Sequence, residues 1–471
     1  MAADTRTEHD SLGDLEIPNN AYYGVQTSRA LQNFPFDTET LQHFPNFINA
    51  YAYVKKAAAL ANNELGVLPK DKMDAIIAAC DEVISGKLHD QFVEDMFQGG
   101  AGTSTNMNVN EVIANRGLET MGHAKGEYKF LHPNDDVNMS QSTNDTYPTA
   151  AKLAIVMGLK EALHNMDQLK SALEAKAEEF KDVIKMGRTE MQDAVPVTLG
   201  QEFSGFADTI NEAMNQLGQA RDAFMKVNLG GTAIGTGINS PPGYSALAIK
   251  KLGELTGFPF VPAHDLVGAS SDCASYIQMS GAMKRAGIAI SKLSNDLRLM
   301  SSGPRTGLYE IKLPALQPGS SIMPGKVNPV IPEVVSSIVY QLAGFDTTVT
   351  MAAELSSLEL NPVECIIVYD ELQGVSLLDK ACQVLTERCV TGIQANKDRD
   401  ANMVKSSIGL VTALNPVLGY EKSAAIAKEA LQTGRPVYDL VLEKGWLSKE
   451  ALDTLLRPEN MTQPREWPAN K

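Results

Sequence analysis

Between residues 149 and 185 no proline interrupts the chain, and apolar residues recur at Leu159, Leu163, Met166, Leu169, Leu173, Ala177, Phe180 and Ile184. Steps of three and four place them on one stripe of a helix. Comparable proline-free stretches run over 199–227, 265–300, 333–358 and 363–395. Five helices of about 25–38 residues would each measure ~40–55 Å, lengths that suit an elongated bundle rather than an α/β domain. Before them, residues 1–141 are mixed but mostly helical. Pro18, Pro35 and Pro45 punctuate the start, helical stretches follow at 47–65, 70–85 and 108–121, and Gly99, Gly100 and Gly102 cluster ahead of the last. Beyond residue 397 the helical pieces shorten to 423–433, 437–444 and 449–456, divided by Gly434-Arg435-Pro436 and by Gly445. The pattern predicts a mainly α protein of three domains, 1–141, 142–397 and 398–471, with a five-helix bundle in the middle. Such a bundle carries apolar surface beyond its own core, so association into a homo-oligomer is expected.

Composition narrows the partners. The 471 residues are 44% hydrophobic and 21% charged, as in globular domains. A formal net charge of −16 argues against nucleic acid and against an anionic membrane, while a local cationic pocket could still hold a small dianion. No basic segment followed by an apolar run opens the chain, and no stretch reaches the ~18 apolar residues of a membrane span. A cytoplasmic location is the expectation. Cys80, Cys273, Cys365, Cys382 and Cys389 are scattered, odd in number and without a C-x-x-C pair, which predicts buried thiols in a reducing compartment.

Several motifs fail on inspection. The stretch GGTAIGTGINSPPGY (230–244) looks like a dinucleotide loop, but Ser240 stands where the third glycine belongs and prolines follow at once, so it reads as a turn between helices. His9, His43, His89, His123, His132, His164 and His264 never fall at metal-ligand spacing. No P-loop lysine motif and no G-x-S-x-G elbow occurs.

Three loops remain that are unusual for a helical protein: GGAGTSTNMN (99–108), NMSQSTND (138–145) and GSSIMPGKVN (319–328). Each runs into a predicted helix, where free backbone N–H groups and the positive end of the helix dipole gather. N-capping explains one Ser or Thr per loop. It does not explain five or six polar residues in each, or Lys326 between glycine and asparagine. Three such loops together point to a site for carboxylates.

These segments resemble the aspartase/fumarase superfamily, with GSSIMPGKVNP (319–329) as the most specific match. The resemblance spans nearly the whole chain, through AYYGVQTSR (21–29), HPNDDVNMSQSTND (132–145), KMGRTEMQDAVP (185–196) and SNDLRLMSSGPRTGL (294–308). Thr143 in the SQSTND form, together with HPNDDVNMS and AIGTGIN, is similar to members that act on aspartate rather than to those that hydrate fumarate. The resemblance implies three mostly helical domains and a homotetramer whose helical core joins five long helices from each copy. Each active site would draw loops from three subunits. It implies no cofactor and a small dicarboxylate substrate: ammonia is eliminated from L-aspartate to give fumarate through an enediolate. By the same resemblance Ser320 is the base, while Thr103, Ser142, Thr143 and Ser321 bind the β-carboxylate. Lys326 and Asn328 hold the α-carboxylate, Thr189 and Met323 line its pocket, and Asn144 and Glu190 face the amino group. Gly319 and Gly325 would be hinges of a loop that closes over substrate.

Two positions depart from the family pattern. Glu190 replaces the usual histidine or glutamine, and Asn361-Pro362-Val363-Glu364-Cys365 replaces N-V-M-E-P. A histidine at 190 is what would pair with Glu333 to activate water in a fumarate hydratase; two carboxylates there are like charges. Pro362 is tolerable near a helix start. Fumarate hydration, a lyase for an N-substituted aspartate, and a helical scaffold without activity remain as alternatives. The last is disfavoured by the retention of Ser320, Lys326 and Asn328.

Overall fold

The structure, a computed structural model, describes residues 4–464. Its first elements are a hairpin, β1 (Thr5–Asp10) and β2 (Gly13–Pro18), then α1 (Val25–Asn33), α2 (Pro45–Glu64), α3 (Lys70–Ile84), α4 (Thr103–Thr120) and α5 (Thr143–Glu179). A second hairpin, β3 (Ile184–Thr189) and β4 (Gln192–Thr198), leads into α6 (Leu199–Ala223). The two-residue strands β5 (Lys226–Val227) and β6 (Val261–Pro262) enclose α7 (Tyr244–Thr256), and α8 (Leu266–Ala269) and α9 (Ala274–Met300) follow. Between β7 (Ile311–Lys312) and its partner β8 (Gln394–Ala395) lie α10 (Val330–Glu354) and α11 (Glu364–Arg388). The chain continues through α12 (Lys397–Ser406), α13 (Val411–Leu418), α14 (Tyr420–Thr433), α15 (Val437–Glu443), α16 (Lys449–Leu455) and α17 (Pro458–Met461).

The mainly α fold is as the pattern predicts, and the five long helices are α5, α6, α9, α10 and α11. Four of their ends differ most from the expectation, and at one of them α5 stops at Glu179, so that Ile184 begins β3 instead of ending the stripe. The helix expected over 265–300 is broken at 270–273, so α8 and α9 are separate. Residues 389–395 leave the helix for a turn and β8. Most tellingly, α5 begins at Thr143, upstream of Pro148. Proline has no N–H to give the carbonyl four residues back, which is that of Asn144. The side-chain amide of Asn228 donates to that carbonyl at 3.0 Å and so repairs the gap.

The described residues form two compact units. The first comprises residues up to Leu163, Asn215–Arg285 and Tyr340–Asp379. Its centre is α2, whose buried alanines (Ala50, Ala57, Ala58 and Ala61) let α3 and α7 approach closely. Pro45 at the first position of α2 is preset for a helix, and Gly66 in left-handed conformation ends it. The second unit comprises His164–Met214, Ala286–Val339 and the chain from Lys380. Met186, Val404, Leu410, Leu414, Ile426, Leu440, Val441 and Leu452 form its C-terminal core. The hairpin β3–β4 joins that core so closely that a Cβ on Gly409 would lie 2.2 Å from the Ala194 carbonyl. The hairpin was not anticipated from the sequence. All five cysteines are buried, as expected, and burial pushes the Cys80, Cys365 and Cys389 thiols up to about 12. No helix among the described residues is long and apolar enough to cross a membrane.

Candidate active site

In the first unit the loops at 99–108 and 138–145 come together at the starts of α4 and α5. Gly102 precedes Thr103 with φ +87°, and a Cβ there would lie 2.1 Å from the ring of Tyr147, so glycine alone lets α4 begin against α5. One turn into α4, Asn106 donates to Thr143 Oγ1 at 3.1 Å. Behind both stands Lys55 of α2, fully buried, which donates to Asn106, Asn138 and Gln141. Burial draws this lysine down to about 7. Asp145 is also fully buried, and its carboxylate accepts the backbone N–H groups of Ser142, Gly230 and Thr232. Burial lifts it to about 7 against the pull of those donors. Asn144 donates to the Ala233 carbonyl at 2.7 Å. The glycine-rich stretch at 230–244 is thus a turn, as read, and its amides and carbonyl fix the polar loop at 142–145. The segment at 21–29 is tied to the middle of the same helix: Glu111 of α4 accepts N–H groups from Gly24, Gln26 and Thr27.

In the second unit Thr189 and Glu190 occupy the tip of the β3–β4 hairpin. Glu190 (φ +54°) and Met191 (φ +64°) both have left-handed backbones, as a two-residue type I′ turn requires, although neither is the Gly or Asn that favours it. Strain of this kind concentrates where a side chain must be presented. Both residues are exposed. The base of the hairpin is held by buried charges. Lys185, 3% exposed, reaches both oxygens of Glu202 at 2.7 Å and lies 3.0 Å from Glu310 Oε2, while Arg188 meets Glu310 Oε1 at 2.6 Å. Asp400, close to this group, is fully buried, and burial followed by the like charge of Glu310 lifts it to about 7.

The loop at 319–328 lies in the same unit. Gly319 donates its N–H to the Lys326 carbonyl at 2.7 Å, and Asn328 Nδ2 donates back to the Gly319 carbonyl at 2.8 Å, closing the loop at its neck. A Cβ on Gly319 would sit 2.7 Å from the Asn328 nitrogen. Within the loop, Ser320 Oγ accepts the N–H groups of Ile322 (3.1 Å) and Met323 (2.9 Å). Ser321, Met323 and Lys326 are exposed, and Ile322 is 83% exposed.

The predicted site residues therefore fall into three local groups: Thr103 with Ser142, Thr143 and Asn144; Thr189 with Glu190; and Ser320, Ser321, Met323, Lys326 and Asn328. The residues that position them are not among those the sequence motifs single out. Lys55 carried a signal, for it interrupts the apolar face of α2 between Tyr51, Ala52, Ala58 and Ala59. Asn106 and Asp145 carried none beyond their loops.

The family model described as Lyase matches residues 13–344, and one described as Fumarase C C-terminus matches residues 410–463. The aspartate ammonia-lyase of Pseudomonas aeruginosa is 54% identical over 467 residues, covering 99% of this chain and 98% of the relative. Among solved structures, a fumarate lyase:delta crystallin from Brucella melitensis bound to cobalt is 53% identical, with a TM-score of 0.95 over 98% of this chain and all of the other. A class II fumarase from Schistosoma mansoni superimposes with a TM-score of 0.93 over 98% of this chain and all of the other, at 36% identity.

Proposed function

The chain belongs to the family of the aspartate ammonia-lyases, and from that we propose that it removes ammonia from L-aspartate to give fumarate, with Ser320 as the base. One observation carries the chemistry: Ser320 Oγ already accepts two backbone N–H bonds. Donors to an oxygen favour its charged form, and an alkoxide is what a serine needs to act as a base. The alkoxide takes the C3 proton, and the electron pair passes into the β-carboxylate as an enediolate. That pair then forms the C2–C3 double bond as the C2–N bond breaks and the amine leaves.

Thr103, Ser142, Thr143 and Ser321 hold the β-carboxylate, where preorganised donors meet the developing charge. Lys326 and Asn328 hold the α-carboxylate beside Thr189 and Met323, and Asn144 and Glu190 face the amino group. Closure of the 319–328 loop excludes water. The reading needs no cofactor. It places the chain in the cytoplasm as a homotetramer with each site shared among three subunits, and keeps the functional division 1–141, 142–397 and 398–471. Exposed apolar side chains on the long helices, Ile288 of α9 and Tyr340 and Met351 of α10, support association.

Purified protein is expected to generate fumarate absorbance from L-aspartate and none from malate. Turnover of malate without turnover of aspartate would reassign the site to hydration. Glu190→Gln is expected to raise KM for aspartate ~10-fold, because a charge-assisted contact to the ammonium becomes a neutral one. Unchanged aspartate kinetics in that variant would show that the charge at 190 is unnecessary.

A further inference from the structure

Lys55 has no accessible surface, yet among the described residues its ammonium hydrogen-bonds to neutral amides alone: Asn106 Oδ1 at 2.7 Å, Asn138 Oδ1 at 2.9 Å and Gln141 Oε1 at 2.9 Å, with the Tyr51 ring centroid 5.9 Å away. Three acceptors use all three N–H bonds of an ammonium, whereas a neutral amine has two. A buried charge is ordinarily paired with an opposite one. Asp145, the carboxylate acting most on Lys55, is itself occupied by three backbone N–H groups.

The consequence falls on Thr143. Because Asn106 Oδ1 accepts from Lys55, its Nδ2 must turn the other way, and it donates to Thr143 Oγ1. The hydroxyl that accepts there keeps its own proton free for a ligand. Were Asn106 to flip, its oxygen would take the Thr143 proton and the subsite would lose a donor. Gln141, also held by Lys55, directly precedes Ser142.

We infer that Lys55 is a positioning residue of the lyase reaction: its buried ammonium sets Asn106 and Gln141 so that Thr143 and Ser142 present their protons, and the substrate dianion balances its charge. The inference rests on the assignment of Ser142 and Thr143 to the β-carboxylate. Titratable neighbours are Asp145 on α5, Cys80 on α3, whose thiol stays neutral, and Tyr51 one turn back on α2, whose phenol burial keeps neutral.

Binding of succinate, a dianion without a leaving group, tests it by calorimetry at pH 8 in two buffers of different ionisation enthalpy, with full-length protein. Above about 7 the free protein holds Lys55 as the amine, and a bound dianion restores its proton. Wild type is expected to take up close to one proton, and its succinate affinity to fall from pH 7 to pH 8.5. Lys55→Arg, with a fixed charge, should bind without that uptake and lose the pH dependence. Lys55→Met, checked for folding by circular dichroism, should raise KM for aspartate and Kd for succinate ~10–100-fold. Wild type that takes up no proton overturns the inference. So does uptake persisting in Lys55→Arg, which would place the proton on Asp145, or a folded Lys55→Met with wild-type KM and Kd. Thr143→Ala separates the two layers: wild-type succinate affinity in that variant would overturn the carboxylate assignment itself.

Discussion

Ser320→Ala is expected to lower kcat for aspartate by ~10³-fold or more while leaving the fold intact, the loss that follows when a reaction's base is removed. The residue sits in an open loop, and among the described residues its hydroxyl hydrogen-bonds only to the N–H groups of Ile322 and Met323. Water can satisfy both donors in the variant, so stability should hardly move. Binding should survive as well, because the carboxylate ligands lie elsewhere: succinate is expected to bind within ~3-fold of wild type, as uniform binding is separate from transition-state stabilisation. A rival view makes Ser320 merely the residue that shapes the turn. Ser320→Asn distinguishes the two, since an asparagine oxygen can cap the same pair of N–H groups but cannot act as a base. Fumarate absorbance should show both variants equally inactive. An active Ser320→Asn enzyme would move the base to another residue.

The elements legible in the sequence are those whose information is local. A stripe recurring every three or four residues needs no partner to be seen, and the five long helices were read from it. The start of α5 at Thr143 is not legible because Pro148 is locally a helix breaker. Its tolerance depends on Asn228, 80 residues away in the sequence and invisible to any window. The β3–β4 hairpin is illegible for a related reason. A turn of Glu190 and Met191 lacks the Asn-Gly chemistry that announces type I′ geometry, so the hairpin depends on packing against Gly409 and on its buried ions. At the site, the loops were legible because polar density between helices is itself anomalous. The layer behind them was not. Lys55, Asn106 and Asp145 act through bonds that join residues far apart in the chain, and the glycine-rich stretch at 230–244 supplies backbone groups whose use no side-chain motif displays.

Lys185→Met is expected to cost ~3–5 kcal/mol of folding stability, the penalty for leaving buried carboxylates without their cation. Methionine fills the volume of the lysine stem, so the loss is electrostatic rather than a cavity. Lys185 is 3% exposed and serves Glu202 and Glu310 together; without it Glu202 loses its cation and Arg188 is left with Glu310 beside Asp400. The pH dependence identifies the cause. Burial raises Glu202 and lifts Asp400 from 3.8 to about 7. A carboxyl whose folded pKa is raised contributes stability at low pH that is lost as pH rises through the folded pKa, here between about 4 and about 7. Removing the cation that opposes these shifts raises them further. The deficit of Lys185→Met should therefore be larger at pH 8 than at pH 6, where protonation relieves the repulsion. Urea midpoints at one fixed protein concentration measure it, because association also contributes to apparent stability. Equal midpoints for variant and wild type at both pH values would mean that the ions are bystanders. A deficit confined to high pH would tie them to the hairpin that carries Thr189 and Glu190, and aspartate turnover should then decline over the same pH range in the variant.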